Sequence, residues 1–432
     1  MGCRLYDFIV VGAGVVGLST AYHIKRMSPD SKVLVLERGP APGSGDSGRS
    51  AAAFRAFFTN RVNLMLSNSS IEFYRSVQSG GFDLGLRFVG YLFLADKRLH
   101  EELRDGLREA ERLGLEFKVL EPGVLEEALG VRVRVEGLEE SSLIGAGDIV
   151  EGILALKAGI MDAEKVVDYY YRAGLSAGVI YSFNSEVESL LVEPSRPLGI
   201  PGEPFPWQDL RVTGVKVAGG GEVRASRKVI VAAGAWTWRL TSRIGVESFS
   251  RPKKRQVFSI RASKEPLRRV LHARGLNPYN VAPMIILPKK AYMRPVPGEE
   301  SFWVGLSDDL GRPFELEDWE PRAELDFYVR GVLPIVSLYF PQVQELYPHA
   351  MWAGYYDYSP DGLPIVYEPY DSGLIVSCGT SGSGIMKADA IGRITASLAL
   401  GLEEAELYTG ESIEVKLLGL RERVSGAEKL II

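Results

Sequence analysis

Gly12, Gly14 and Gly17, with Glu37 twenty residues beyond the last of them, are the residues of this 432-residue chain whose types and spacing bear most directly on chemistry. The order G-x-G-x-x-G leaves the backbone room that side chains would take. Gly12 makes a tight turn, Gly14 lets the main chain approach a pyrophosphate, and Gly17 lets a helix pack closely on a strand. Ala13, Val15 and Val16 lie between them, at a helix mouth whose unpaired N–H groups and positive dipole end receive phosphate. Glu37 stands where a carboxylate accepts hydrogen bonds from a ribose. Together these residues predict a dinucleotide site and leave open which dinucleotide.

The elements around them are legible as pattern. Tyr6 to Val11 is an apolar strand, a helical pattern follows Gly14, and Lys32 to Leu36 is a second strand, giving a β-α-β unit over residues 5–38. Pro40 to Ala53 is a loop dense in Gly and Ser, suited to close approach of a flat ligand. Phe54 to Val77 reads as a helix, Val89 to Leu94 as a strand, and Arg98 to Leu113 as a solvated helix. Glu164 to Ala177 reads as a helix and Val179 to Ser182 as a strand, while the prolines of 194–208 predict a surface loop. Lys228 to Trp236 is a buried-type strand ending in small residues. Strand-like runs and turns alternate from Val257 to Pro348, as in a mostly antiparallel second domain. The run Lys253-Lys254-Arg255 reads as a solvated turn. Near the end, Leu374 to Cys378 is a strand feeding a glycine loop, Gly379 to Gly384, and a helix from Ile385 to Leu400.

Composition narrows the class. Hydrophobic residues are 46% and charged residues 24%, as in a globular protein with ample core, and the length suggests two or three domains. A net charge of −5 argues against nucleic-acid binding, and no apolar run is long enough to span a membrane. The N-terminus enters the first strand at once, so a cytoplasmic protein is expected. Cys3 and Cys378 are too few for a metal cluster. Five Gln and six Asn beside abundant charge follow a thermophile tendency.

Across nearly its whole length the chain resembles the FAD-dependent amine and amino-acid oxidoreductases related to D-amino-acid oxidase. The stretches that carry the likeness are Y-D-F-I-V-V-G-A-G-V-V-G, L-E-R at 36–38, G-S-G-D-S-G-R-S-A-A-A-F-R at 43–55, V-A-A-G-A-W at 231–236, W-A-G-Y-Y-D-Y-S-P-D-G-L-P at 352–364 and G-T-S-G-S-G-I-M at 379–386. The resemblance implies an α/β fold, with a discontinuous Rossmann-like FAD domain (1–85, 155–240, 350–432) and a substrate domain of antiparallel sheet with helices (86–154, 241–349). Beyond the fingerprint and Glu37, it implies FAD contacts from Arg38, Ser44, Ser47, Gly48, Arg49, Ser50 and Ala51. Further contacts come from Val187, Ala233, Gly234 and Trp236, and at the flavin end from Gly354, Gly382, Gly384, Ile385 and Met386. The family's covalent flavin cysteine falls at Gly354, so FAD is expected to be non-covalent.

An amino-acid carboxylate needs a cation, ideally the fork of an arginine. Arg55 aligns with a carboxylate-contacting arginine of sarcosine oxidases. Tyr292 and Arg294 share one face of a strand, since side chains alternate with period two, and Tyr356 is a further candidate. Departures matter too. The family's oxygen-activating lysine falls at Trp303, a second carboxylate lysine at Met386 with Lys387 adjacent, and a loop histidine at Ser383. These losses favour a dehydrogenase over an oxidase. The expected activity is oxidation of a proline-like amino acid to its imine, with electrons passing to a dye or quinone. A glycine, sarcosine or D-amino-acid oxidase is the alternative, and a flavin-bearing subunit or assembly protein without turnover is one of another class. A quinone acceptor would place the protein peripherally at the inner membrane face. The apolar ending Leu430-Ile431-Ile432 is expected to cover the active-site entrance, to form a homodimer contact, or to be a plain tail.

Overall fold

The computed structural model describes residues 5–421 and 423; Cys3 and Leu430-Ile431-Ile432 fall outside them. β1 (Leu5–Val11) is the central strand of the first sheet. Its alternate residues feed two different cores, Phe8 and Val10 on one side and Ile9 and Val11 on the other. A strand covered on both faces reads as continuously apolar, which is why this one does. α1 (Val15–Met27) leads to β2 (Val33–Leu36), parallel to β1. On the other side of β1 lie Gly221–Val231 and then Leu374–Cys378, both parallel to it. The carboxyl ends of these four strands open onto one edge, where α/β sheets bind ligands.

A second sheet of eight strands runs in the order Ala350–Tyr358, Arg251–Arg261, Ser301–Leu306, Ala291–Val296, Met284–Ile286, Tyr91–Asp96, Ile149–Ala155, Phe117–Leu120. It is antiparallel except that Met284–Ile286 pairs parallel with Tyr91–Asp96. The stretch expected to be all strand and turn also holds helical turns over 325–339, because Tyr328, Val336 and Tyr339 close the core on one side of this sheet.

Three sequence expectations change. Residues 54–60 are not helical: β3 (Ala53–Arg55) pairs antiparallel with Ala158–Ile160, and α2 (Arg61–Ser79) begins only after Asn60. Asn60 caps α2 by accepting the Asn63 N–H at 3.1 Å. Asn60→Ala is expected to lower stability by about 1 kcal/mol, measured by thermal or urea denaturation. The basic run is not a solvated turn either. Lys253, Lys254 and Arg255 are buried in a strand, and their charges meet acids some sixty residues on: Lys254 bridges Glu317 and Glu324, and Arg255 pairs with Asp308 and Asp309. The strand expected over Lys228 to Trp236 ends at Val231, and Gly234, at φ +52°, turns the chain into a short helical segment.

The long helix Gly384–Ala399 lies against α1 so closely that a Cβ on Gly392 would sit 2.1 Å from Ser19 Oγ. This contact holds the helix's first turn at the edge of the first sheet. No helix among the described residues is long and apolar enough to cross a membrane.

Candidate active site

A cleft of about 1330 Å³ runs from the carboxyl edge of the first sheet to the face of the second. Its first part is built by the glycine fingerprint. A Cβ on Gly12 would meet Ala232 O at 2.6 Å, and one on Gly17 would meet Gly12 O at 2.0 Å. Glu37 is buried and accepts the N–H of Ala13 and of Gly39, each at 2.7 Å, so the carboxylate is fixed at the cleft wall before any ribose arrives. The Val15 N–H at the mouth of α1 donates to Ser47 Oγ at 2.9 Å, tying the glycine-rich loop to the helix start. Gly14, Val15, Val16, Arg38, Arg49, Ser50, Ala51, Val187, Ala233, Gly234 and Trp236 also line this part.

Five of the sequence candidates do not line the cleft. Ala13 points its N–H at Glu37, and Gly17 is packed beneath Gly12. Ser44 turns its hydroxyl back to Ala41 O at 2.6 Å, and the Gly48 N–H closes on Gly43 O at 3.1 Å. These four support the cradle from behind. Arg294 is the fifth. It does share a face with Tyr292, but one strand pair is about 7 Å and carries it out of the cleft. There Arg294 lies over the Trp303 ring at 4.4 Å and donates to Met161 O at 2.8 Å, while burial pushes its pKa down to about 10. Trp303 is likewise outside the cleft, packed edge-on to Trp352 at 4.8 Å.

The far part of the cleft gathers groups from both sheets. Arg55, at the end of β3, donates to Phe57 O at 2.8 Å and lies 4.3 Å from the Phe58 ring centroid. Lys387, in the first turn of Gly384–Ala399, is 1% exposed, 4.6 Å from the same ring, and donates to Asn63 Oδ1 at 2.7 Å and Ser383 Oγ at 2.8 Å. Phe58 therefore contacts two buried cations. Tyr91, Met284, Ile286, Tyr292 and Tyr356 complete an aromatic and apolar wall, and Gly354, Gly382, Gly384, Ile385 and Met386 line the side towards the first sheet. Burial raises the phenol pKa of Tyr356 to about 12 and that of Tyr292 further, so both remain hydrogen-bond donors at neutral pH. Sequence reasoning placed Lys387 one residue from an expected lysine. It missed Phe58, Asn63 and Tyr91, whose signal is only that they surround Arg55 in space.

The residues present fit FAD. The glycine cradle, the helix mouth and Glu37 suit its adenosine diphosphate, and the glycine turn before Gly384 leaves the main chain open at the other end. The cleft lining includes no histidine, and its one cysteine, Cys378, is a buried thiol pushed up to about 12 by burial.

A segment of the second sheet's connections folds over the cleft mouth. Trp319 lies 3.5 Å from the Arg38 guanidinium carbon, and Trp236 lies 4.1 Å from it on the first sheet's side. Arg49 donates to Trp319 O at 3.3 Å, and the Tyr355 hydroxyl accepts the N–H groups of Glu317 and Asp318.

Asp46 lies behind this mouth and accepts the Tyr355 N–H at 2.7 Å, yet burial pushes its pKa from 3.8 up to about 6. The folded state therefore holds this proton more tightly than the unfolded chain does. The stability from protonated Asp46 is full below pH 4 and is lost as the pH rises to about 6. Asp46→Asn is expected to raise the melting temperature of flavin-free protein at pH 7.5 and leave it unchanged near pH 4. The difference is on the order of 2–3 kcal/mol.

Comparison with known proteins agrees with this geometry. Residues 7–398 match the FAD dependent oxidoreductase (DAO) family. The chain is 25% identical over 423 residues to the FAD-dependent oxidoreductase domain-containing protein 1 of Xenopus laevis, covering 91% of this chain and 78% of that one. It is 23% identical to a glycine oxidase of Bacillus licheniformis, covering 92% and 94%. Among solved structures, L-proline dehydrogenase from P. horikoshii superposes with a TM-score of 0.74 at 19% identity, covering 97% of each chain. The protein belongs to the DAO family of FAD-dependent oxidoreductases.

Proposed function

We propose that this enzyme is an amino-acid dehydrogenase that binds FAD non-covalently, oxidises a small cyclic amino acid such as L-proline to its imine, and passes the electrons to a dye-like or quinone acceptor. The observation that carries the reading is the pair of buried cations, Arg55 and Lys387, both against the Phe58 ring. Two cations in an aromatic and apolar chamber suit a substrate with a carboxylate at one end and a compact hydrocarbon ring at the other. FAD supplies the hydride acceptor. The chain's own part is positioning. Arg55 and Lys387 hold the carboxylate, Tyr292 and Tyr356 donate hydrogen bonds, and the wall of Tyr91, Met284 and Ile286 keeps water away from the reacting Cα–H. The amine must be neutral when the hydride leaves. The names of the superposed L-proline dehydrogenase and the related glycine oxidase support amino acids as the substrate class. With Trp303 outside the cleft, the preference for dehydrogenase rests on the likeness to the proline enzyme alone. The FAD domain is proposed to comprise 1–85, 155–240 and 350–432, and the substrate domain 86–154 and 241–349.

Anaerobic mixing with a panel of amino acids tests the reading. Bleaching of the flavin by L-proline and not by sarcosine or D-alanine is the expected result. Bleaching by no amine would overturn it. Slow recolouring when air is admitted is expected of a dehydrogenase, and fast recolouring would reassign the enzyme as an oxidase.

A further inference from the structure

A second cavity, of about 600 Å³, lies where α1, α2, the helix Ala163–Ser176 and the helix Gly384–Ala399 meet. It shares no residue with the cleft. Its walls are rings: Tyr22, Phe73, Phe82, Tyr169 and Tyr408, with the imidazole of His23 among them. Phe73 stands edge-on to Tyr169 at 5.9 Å and to Tyr408 at 5.4 Å, and Tyr169 edge-on to Phe82 at 5.3 Å. These rings pack edge-to-face on one another, so the wall is aromatic on several sides, and the volume lies within the range of small-molecule sites.

The charges select among flat guests. Arg26 and Arg393 line the cavity, and so does Glu406; Asp389, fully buried beneath it, accepts from Arg393 Nε at 2.7 Å and pairs with His23 at 2.8 Å. Two arginines against two carboxylates leave little net field, which disfavours an aromatic anion and suits a neutral ring. Hydrogen-bond donors remain at the wall in the guanidinium groups and the tyrosine hydroxyls.

The cavity is also wired to the cleft. Ile385 and Met386 line the cleft and Arg393 and Ser397 line the cavity, all on one helix, so Ile385 and Arg393 are about 12 Å apart along its axis. Beside that helix, the fully buried Tyr74 donates to Ile385 O at 2.8 Å, and its ring centroid is 6.0 Å from Phe73. One ring thus spans the gap between a residue of the cleft and a residue of the cavity.

We propose that this second cavity is the docking site of the electron acceptor, a neutral planar quinone. The inference rests on the dehydrogenase reading above. In the step, the flavin end of the cleft gives up the two electrons taken from the substrate. They would pass through the packing around Tyr74 and Phe73; the proton freed as the flavin is reoxidised would leave to solvent, and the quinone's two carbonyl oxygens would each take up a proton from solvent to become hydroxyls.

The test uses 2-methyl-1,4-naphthoquinone with the FAD-loaded wild type, Val77→Trp, which fills the cavity, and Tyr408→Ala, which removes a ring that is 41% exposed and so endangers folding little. Binding is measured by equilibrium dialysis. The flavin is reduced with dithionite, so no substrate is needed, and its reoxidation is followed with the quinone and with ferricyanide. Saturable quinone binding by the wild type is expected, weakened at least tenfold in Val77→Trp, with a matching rise in the half-saturating quinone concentration and unchanged ferricyanide rates. Tyr408→Ala is expected to shift both quinone readings in the same direction. Absence of quinone binding, or wild-type quinone kinetics in both variants, would overturn the proposal. So would preferential binding of 1-naphthoate. Saturable quinone reoxidation in an enzyme that no amino acid bleaches would uphold the cavity and overturn only the substrate reading.

Discussion

Arg55→Met is expected to keep the flavin and lose the amino acid. The side chain is buried, with one N–H committed to Phe57 O and its plane against Phe58, so the arginine is held in place before substrate enters. Such a group loses little freedom on binding a carboxylate, and removing it leaves the incoming charge with Lys387 as the remaining cation of the pair. Truncating one partner of a buried charged pair costs about 2–5 kcal/mol, so kcat/KM for L-proline should fall by about 10²–10³-fold. Methionine fills much of the space, and the visible flavin spectrum should be unchanged because the Gly12–Gly17 turn and Glu37 lie elsewhere in the cleft. The split between KM and kcat separates roles. A rise in KM alone means that Arg55 holds substrate and transition state equally, whereas equal losses in kcat and kcat/KM mean that its contact is made only in the transition state, where it aligns the Cα–H. An unchanged kcat/KM would remove Arg55 from the substrate site.

Gly17→Ala should have the opposite signature. The added methyl would stand 2.0 Å from the carbonyl oxygen of Gly12, a backbone atom that cannot swing aside. Relief requires α1 to move away from β1, and that displaces the N–H groups at the helix mouth. Overpacking costs about 1–3 kcal/mol of stability. Purified protein is expected to be colourless, with FAD affinity at least about 100-fold weaker, roughly 3 kcal/mol. Titration with FAD and thermal melts measure the two effects separately. Wild-type FAD retention would mean that the close approach at Gly17 is not what shapes the phosphate cradle.

What was legible in the sequence is what local spacing encodes. Gly12, Gly14, Gly17 and Glu37 act within one β-α-β unit, so their roles follow from a few dozen residues. The strand Leu374–Cys378, its glycine turn and the following helix were legible for the same reason. Depth was not. Period two correctly set Tyr292 and Arg294 on one face, but it carries no information on how far along a strand a cleft extends. The charges of Lys253, Lys254 and Arg255 suggested solvent because their partners, Asp308, Asp309, Glu317 and Glu324, come from a distant segment. Arg55 was misassigned to a helix because its strand partner, Ala158, is a hundred residues away. The second cavity was invisible, since three helices and two turns contribute its rings at unrelated positions.

The cluster of Trp319, Arg38 and Trp236 has a kinetic meaning. Trp319 comes from the second sheet's connections and Trp236 follows a strand of the first, so the cluster joins the two beside Arg38 in the cleft and would act as a latch on a bound dinucleotide. How long the cofactor stays is then governed by how often the latch opens, and residence time and affinity become separately adjustable. Weakening the cluster should speed cofactor exchange in both directions while leaving the equilibrium between bound and free almost where it was.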